Sequence, residues 1–297
     1  MKKIICLMLI VVLGATLVLT GCGGGGDTIK IGSKNFTESI VLSEVLAQLI
    51  ENKTDLNVKR SQNMGGTFIC FEAIKSGEID IYPEYTGTAL TALLEMPVVN
   101  DPDEVYQTVQ DEFNSQFDIS WLGSFGLNNT YTLITSKEAA DEYQLKNATD
   151  LIDVAGDLVF AANHEFFNRD DGFQGFSDFY GMQFKGEPVK MDITLLFPTV
   201  ANREVDIIID QATSGLIQKH DLVVLEDDKN YFPPYYAAPI VRNETLEKHP
   251  ELKEVLNLLE GEIDDAAMTS LNYQVDVEQK EVSAVVTEFL KEKGIIS

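Results

Sequence analysis

Glu78-Ile79-Asp80-Ile81-Tyr82-Pro83-Glu84-Tyr85-Thr86-Gly87-Thr88 sets the pattern from which the rest of the chain can be read. Residues 68–75, mostly apolar, precede it as a helix, and residues 79–82 read as a strand. The arrangement returns at Glu204-Val205-Asp206-Ile207, which is followed by Gln211, Thr213 and Gly215. In both copies the seventh residue after the Glu, Tyr85 or Gln211, falls just past the strand end. Ligands of open α/β sheets sit outside the carboxyl ends of strands. Tyr85 and Gln211 are therefore expected to face a shared cleft from opposite halves of the molecule.

Outward from these copies, strands alternate with helices. Thr28–Gly32 and residues 56–59 read as strands before the first copy. Tyr131–Thr135, residues 158–161, Val189–Met191, and residues 205–209 and 222–225 read as strands after it. Between the first two strands, Val41/Leu42, Val45/Leu46 and Leu49/Ile50 recur every four residues, one apolar stripe of a helix. Asn35 is a plausible N-cap for it, with Glu38 as capping-box partner. From about residue 244 to 293 the chain reads as helical. This rhythm predicts βαβ units, an α/β fold and largely parallel sheets.

The chain has 297 residues, with 48 Asp+Glu against 22 Lys+Arg and a formal net charge of −26. Length alone suggests two domains or one large one. A nucleic-acid binder needs a basic patch, and this acidic chain has no Lys/Arg cluster.

Its beginning predicts its location. Lys2 and Lys3 precede an apolar run over residues 4–19, the pattern of a secretory signal. The run ends in Leu19-Thr20-Gly21-Cys22, which resembles the lipobox of bacterial lipoproteins. That resemblance implies a signal peptide over residues 1–21, acylation of Cys22, and a tether over 22–27. The expected location is the extracytoplasmic face of the cell membrane, lipid-anchored; an uncleaved transmembrane helix is the alternative. Losing Lys2 and Lys3 takes the charge from −26 to −28. Cys6 leaves with the signal, so Cys70 alone remains beside Cys22, and no intramolecular disulfide is expected. Cys70 sits on an apolar helix face and reads as a small buried hydrophobe.

Motifs for chemistry are missing. The sequence contains no G-x-x-x-x-G-K-[ST], G-x-G-x-x-G or G-x-S-x-G. His164-Glu165-Phe166-Phe167-Asn168 lacks the second His of a zinc-protease helix. Asp170-Asp171 reads as solvated loop. No catalytic residue, metal or cofactor is expected.

Aromatic and small polar residues gather instead at strand ends: Pro83 to Thr88, Asn128-Asn129-Thr130-Tyr131, Asp210 to Gly215, and Tyr231-Phe232-Pro233-Pro234-Tyr235-Tyr236. With Ile31-Gly32-Ser33-Lys34-Asn35-Phe36-Thr37-Glu38, these stretches resemble the substrate-binding lipoproteins of ABC importers for quaternary-amine osmoprotectants such as glycine betaine, carnitine and choline. The resemblance runs from about residue 28 to the C-terminus. It implies a two-lobed, hinged periplasmic-binding-protein-like fold of type II, with the ligand cleft between lobes. Lobe 1 would comprise 28–130 plus 232–297, and lobe 2 would be 131–231.

By motif position, Tyr85, Tyr131 and Tyr235 resemble cage walls for the methylated ammonium. Such a group has no N–H to donate, so ring faces must hold it, at roughly 0.5–2 kcal/mol each. Thr88 and Asn129 resemble nearby polar contacts, and Ser33 and Asn35 lie where the first loop reaches the ligand in relatives. Ser33 has helix capping as its alternative role. Arg169 resembles the arginine that grips a betaine carboxylate, with an ion pair to its acidic neighbours as the alternative. Tyr231 and Tyr236 compete with Tyr235. Relatives commonly carry Tyr where this chain has Gln211, which implies a preference for a larger or more polar betaine.

The function implied is delivery of a quaternary amine or betaine to an ABC permease by a lipid-anchored monomer, without bond-making chemistry. Binding of another betaine such as ergothioneine, and anchored ligand sensing, are the alternatives.

Overall fold

The computed structural model describes residues 27–297. The predicted signal, Cys22 and the glycine tether lie outside the described residues. Ten strands build two five-stranded sheets. They are β1 (Thr28–Gly32), β2 (Asn57–Ser61), β3 (Ile81–Tyr85), β4 (Ile119–Trp121), β5 (Tyr131–Thr135), β6 (Phe160–Asn163), β7 (Val189–Met191), β8 (Ile207–Gln211), β9 (Val223–Leu225) and β10 (Ala237–Arg242). One sheet runs β2-β1-β3-β10-β4 and the other β7-β6-β8-β5-β9.

The two orders superimpose strand for strand, and the repeated Glu-x-Asp-Ile explains how. Asp80 donates its N–H to the carbonyl of Lys30 at 2.8 Å and accepts from the Lys30 N–H at 2.8 Å. Asp206 makes the same pair of contacts with Val159, at 2.9 and 2.8 Å. Each Asp thus ties the start of β3 or β8 to the neighbouring chain segment.

The sheets are mixed, not largely parallel. β10 runs antiparallel to β3 and β4, and β5 antiparallel to β8 and β9. The reason is the route of the chain. β10 begins with Ala237 opposite Tyr85, the last residue of β3. β5 begins with Tyr131 opposite Gln211, the last residue of β8. Both crossings between sheets therefore occur where β3 and β8 end, and this places the crossing segments beside those ends.

The helix Thr37–Lys53 carries the predicted stripe: Val41, Leu42, Val45, Leu46, Leu49 and Ile50 are all fully buried. Each contributes roughly 1.5–3 kcal/mol over an exposed position. The C-terminal helices Asp265–Asp276 and Val282–Glu292 pack on it. Its predicted cap does not form. The N-cap is Phe36, with no side-chain capping bond, because Glu38 turns inward. The helix Thr67–Ser76 ends at Gly77, whose φ of 76° is left-handed and suits glycine. Cys70 on that helix is buried, and burial pushes its thiol up to about 12.

Candidate ligand-binding site

A cavity of about 230 Å³ lies where β3, β8 and the two crossings meet. Asn35, Tyr85, Thr88, Asn129, Tyr131, Arg169, Gln211 and Tyr235 all line it. Ser33 does not. Its hydroxyl donates to the Lys34 carbonyl at 3.0 Å and accepts from the Asn63 N–H at 2.8 Å. It neither reaches the cavity nor caps the helix; it fastens one loop to another.

The rings come in two pairs. Tyr131 meets Tyr235 edge-on, with centroids 5.6 Å apart and planes at 86°. Phe36 lies 6.1 Å from Tyr85. Tyr231 packs instead against Phe176 and Phe179, and neither it nor Tyr236 lines the cavity. Phe36 is a further ring that strand-end reasoning missed, although it stands inside the quoted Ser33–Glu38 stretch.

The site's two cations are both matched by acids. Lys34 bonds Glu84 at 2.6 Å and Thr67 at 2.8 Å, with its ammonium 5.2 Å from the Tyr85 ring centroid. Arg169 is fully desolvated and clamps Asp171 through Nε at 2.7 Å and Nη2 at 2.6 Å. This corrects the reading of Asp170-Asp171 as solvated loop: Asp171 is 3% exposed. Burial pushes its carboxyl up, but Arg169 outweighs burial and holds it below the usual range. Asp171 also accepts from Thr91 and Tyr235, each at 2.7 Å. Only Nη1 of Arg169 is loosely held, 3.4 Å from Thr88 and 3.7 Å from Glu165. A ligand carboxylate could be met there by that edge of the guanidinium.

Glu165 and Asp192 add acidic charge to the lining. Glu165 crosses from the second-sheet half to accept the Thr67 N–H at 3.1 Å, at the start of the helix Thr67–Ser76. A Cβ on Gly66 would stand 2.0 Å from its Oε2, so a side chain there would push the carboxylate off its present position. The spacing of Glu165 and Arg169, four residues apart, was the sequence signal that could have nominated Glu165.

Behind the rings sits Glu38, 1% exposed. Its Oε1 accepts from Tyr85 at 2.8 Å and from Asn129 at 2.7 Å. Its Oε2 accepts from Asn272 at 3.2 Å and from the hydroxyl of Thr213. Burial pushes its carboxyl up, against the pull of these four donors. Among the described residues no cluster of His, Cys, Asp and Glu is arranged to hold a metal, and no helix is long and apolar enough to cross a membrane.

Residues 27–292 match the family described as the substrate binding domain of ABC-type glycine betaine transport systems. The chain is 35% identical over 301 residues to the carnitine transport binding protein OpuCC of Listeria monocytogenes, covering 99% of this chain and 97% of that one. It is 34% identical over 268 residues to the ergothioneine transport permease/ergothioneine binding protein EgtU of Helicobacter pylori, covering 90% of this chain and 48% of that one. A crystal structure described as a glycine betaine/carnitine/choline ABC transporter superimposes with a TM-score of 0.75 at 34% identity, covering 92% of this chain and all of that one. Two sheets joined by two crossings, with a ring-lined cavity at the junction, therefore have a known context: the chain belongs to the family of solute-binding proteins of ABC-type glycine betaine transport systems.

Proposed function

We propose that the cavity binds a quaternary-ammonium zwitterion and that the protein hands it to an ABC permease from a lipid anchor at Cys22. The observation that carries this reading is the pairing of Tyr131 with Tyr235 and of Tyr85 with Phe36 beside one loosely held guanidinium edge. Rings attract the methylated cation, and Nη1 of Arg169 suits the carboxylate. Glu165 and Asp192 leave the lining acidic once Lys34 and Arg169 are matched by Glu84 and Asp171. The halves 28–130 plus 232–297 and 131–231 would act as the two lobes that close on the ligand, and the protein would act as a monomer.

Gln211 supplies an amide where a ring would serve a bare trimethylammonium head. Carnitine or ergothioneine should therefore bind more tightly than glycine betaine or choline. Calorimetric competition among these four tests the reading, with Gln211→Tyr expected to shift preference toward glycine betaine or choline. Binding of none of them would overturn it. For the anchor, Cys22→Ser should abolish incorporation of labelled fatty acid.

A further inference from the structure

Beside the ring-lined cavity lies a second cleft of about 720 Å³. The two adjoin across Asn35, Phe36, Asp192, Ile193 and Gln211, residues that face both. Gln211 stands at the boundary, and its side-chain amide has no hydrogen-bond partner among the described residues. Asp210 precedes it on β8 and so points to the other face of the sheet. That face is covered by the helix Ile193–Ala201, and Asp210 lines the second cleft.

Asp210 is 3% exposed. Among the described residues no side chain donates to it, and the neighbouring Gln211 N–H offsets only part of the burial that raises its carboxyl. A desolvated carboxylate with so few donors is costly. The other acids of the cleft are better served. Glu38 has both oxygens occupied, and Asp276 accepts from Thr37 at 2.5 Å. Asp192 accepts from the Thr194 hydroxyl at 2.7 Å, so of the cleft's four acids Asp210 alone has no side-chain donor among the described residues.

Building on the function proposed above, we infer that the second cleft is part of the same ligand site: an N–H- or O–H-bearing arm of the ligand passes the Gln211 amide and donates to Asp210. The ligand class is then a trimethylammonium betaine with a donor-bearing extension, not a compact betaine. Gln211 has both a donor and an acceptor to guide such an arm, whereas glycine betaine has no donor to bring.

The test is calorimetry on the lipid-free protein with glycine betaine and ergothioneine, whose ring carries N–H donors. Titrations are run at pH 8, where the Asp210 carboxyl is ionised, and Asp210→Asn removes that charged acceptor. Thr194→Trp fills the cleft from its exposed side, leaving the buried carboxylate in place. Ergothioneine should bind at least 10-fold more weakly to both variants, while glycine betaine changes less than 3-fold. If Asp210→Asn does not fold, Thr194→Trp decides alone. Ergothioneine affinity unmoved in Thr194→Trp, or equal losses for both ligands, overturns the second cleft while leaving the proposed function standing. A wild type that binds no quaternary amine overturns both.

Discussion

The hydroxyl of Tyr85 donates a 2.8 Å hydrogen bond to Oε1 of Glu38, so a wall of the cavity is held in place by a carboxylate outside it. The same carboxylate holds Asn129 of the crossing, Thr213 beyond β8, and Asn272 of a C-terminal helix. Glu38→Ala leaves four donors without their acceptor. It should cost about 2–4 kcal/mol of stability, read from urea unfolding. Glu38→Gln, which keeps one oxygen, should cost less. Equal stability of Ala and wild type would show that water replaces the carboxylate without loss.

The two tyrosines should respond differently to loss of the hydroxyl. Tyr131 has no hydrogen-bond partner for its phenol among the described residues, whereas Tyr85 serves Glu38. Tyr131→Phe should bind betaines within about 2-fold of wild type. Tyr85→Phe should lose about 1 kcal/mol of stability along with one Glu38 donor. Alanine at either position removes the ring and should weaken binding by about 1–2 kcal/mol, roughly 5–30-fold. Calorimetry on the four variants checks the ranking.

Arg169→Ala should act on two quantities at once. Asp171, buried and unpaired, should lower stability by about 3–5 kcal/mol. Among variants that still fold, for instance Arg169→Lys, carnitine and glycine betaine should lose more affinity than choline, which has no carboxylate. Parallel losses for all three would assign Arg169 to structure alone.

Asp210 sets a pH dependence with a definite sign. Burial raises its carboxyl from 3.8 to about 7. Between those values the folded chain keeps a proton that the unfolded chain has released. The stabilisation is complete below 3.8 and is lost as pH rises to about 7, by on the order of 2–4 kcal/mol. Glu38 and Asp276, also raised by burial, act in the same direction. The stability difference between wild type and Asp210→Asn should therefore fall across this window in urea titrations. A difference independent of pH would mean Asp210 is ionised throughout.

Much of this arrangement was legible in the sequence, and the failures have physical causes. Thr28–Gly32, Tyr131–Thr135 and Val189–Met191 form strands at the residues read. β3 and β8 begin two residues later than read, because Ile79 and Val205 are core residues of the turns that Asp80 and Asp206 tie down. Tyr85 and Gln211 therefore end their strands and do not lie beyond them. β10 went unseen because Pro239 argues against an interior strand. The carbonyl of Pro239 accepts the Leu122 N–H, while the Leu122 carbonyl takes the Tyr106 hydroxyl. A side chain thus stands in for the N–H that proline lacks. The cavity lining was legible where motifs are dense. Glu38, Phe36 and Glu165 were missed in their roles, since burial and reach across halves leave no periodic trace.

The contact between Glu165 and the Thr67 N–H involves no ligand, yet it joins the two halves across the cleft. Under the proposed closure of the two lobes, such a contact would give the shut form a free energy, and so a shut fraction, before any solute arrives. Apparent affinity for any solute is the intrinsic value scaled by that shut fraction. A methyl at Gly66, set against Glu165, would act as a doorstop on that contact and lower the fraction. Substitutions among the rings act on the solute directly, whereas the doorstop would act first on closure, so sensitivity and choice of cargo are set in part at separate positions.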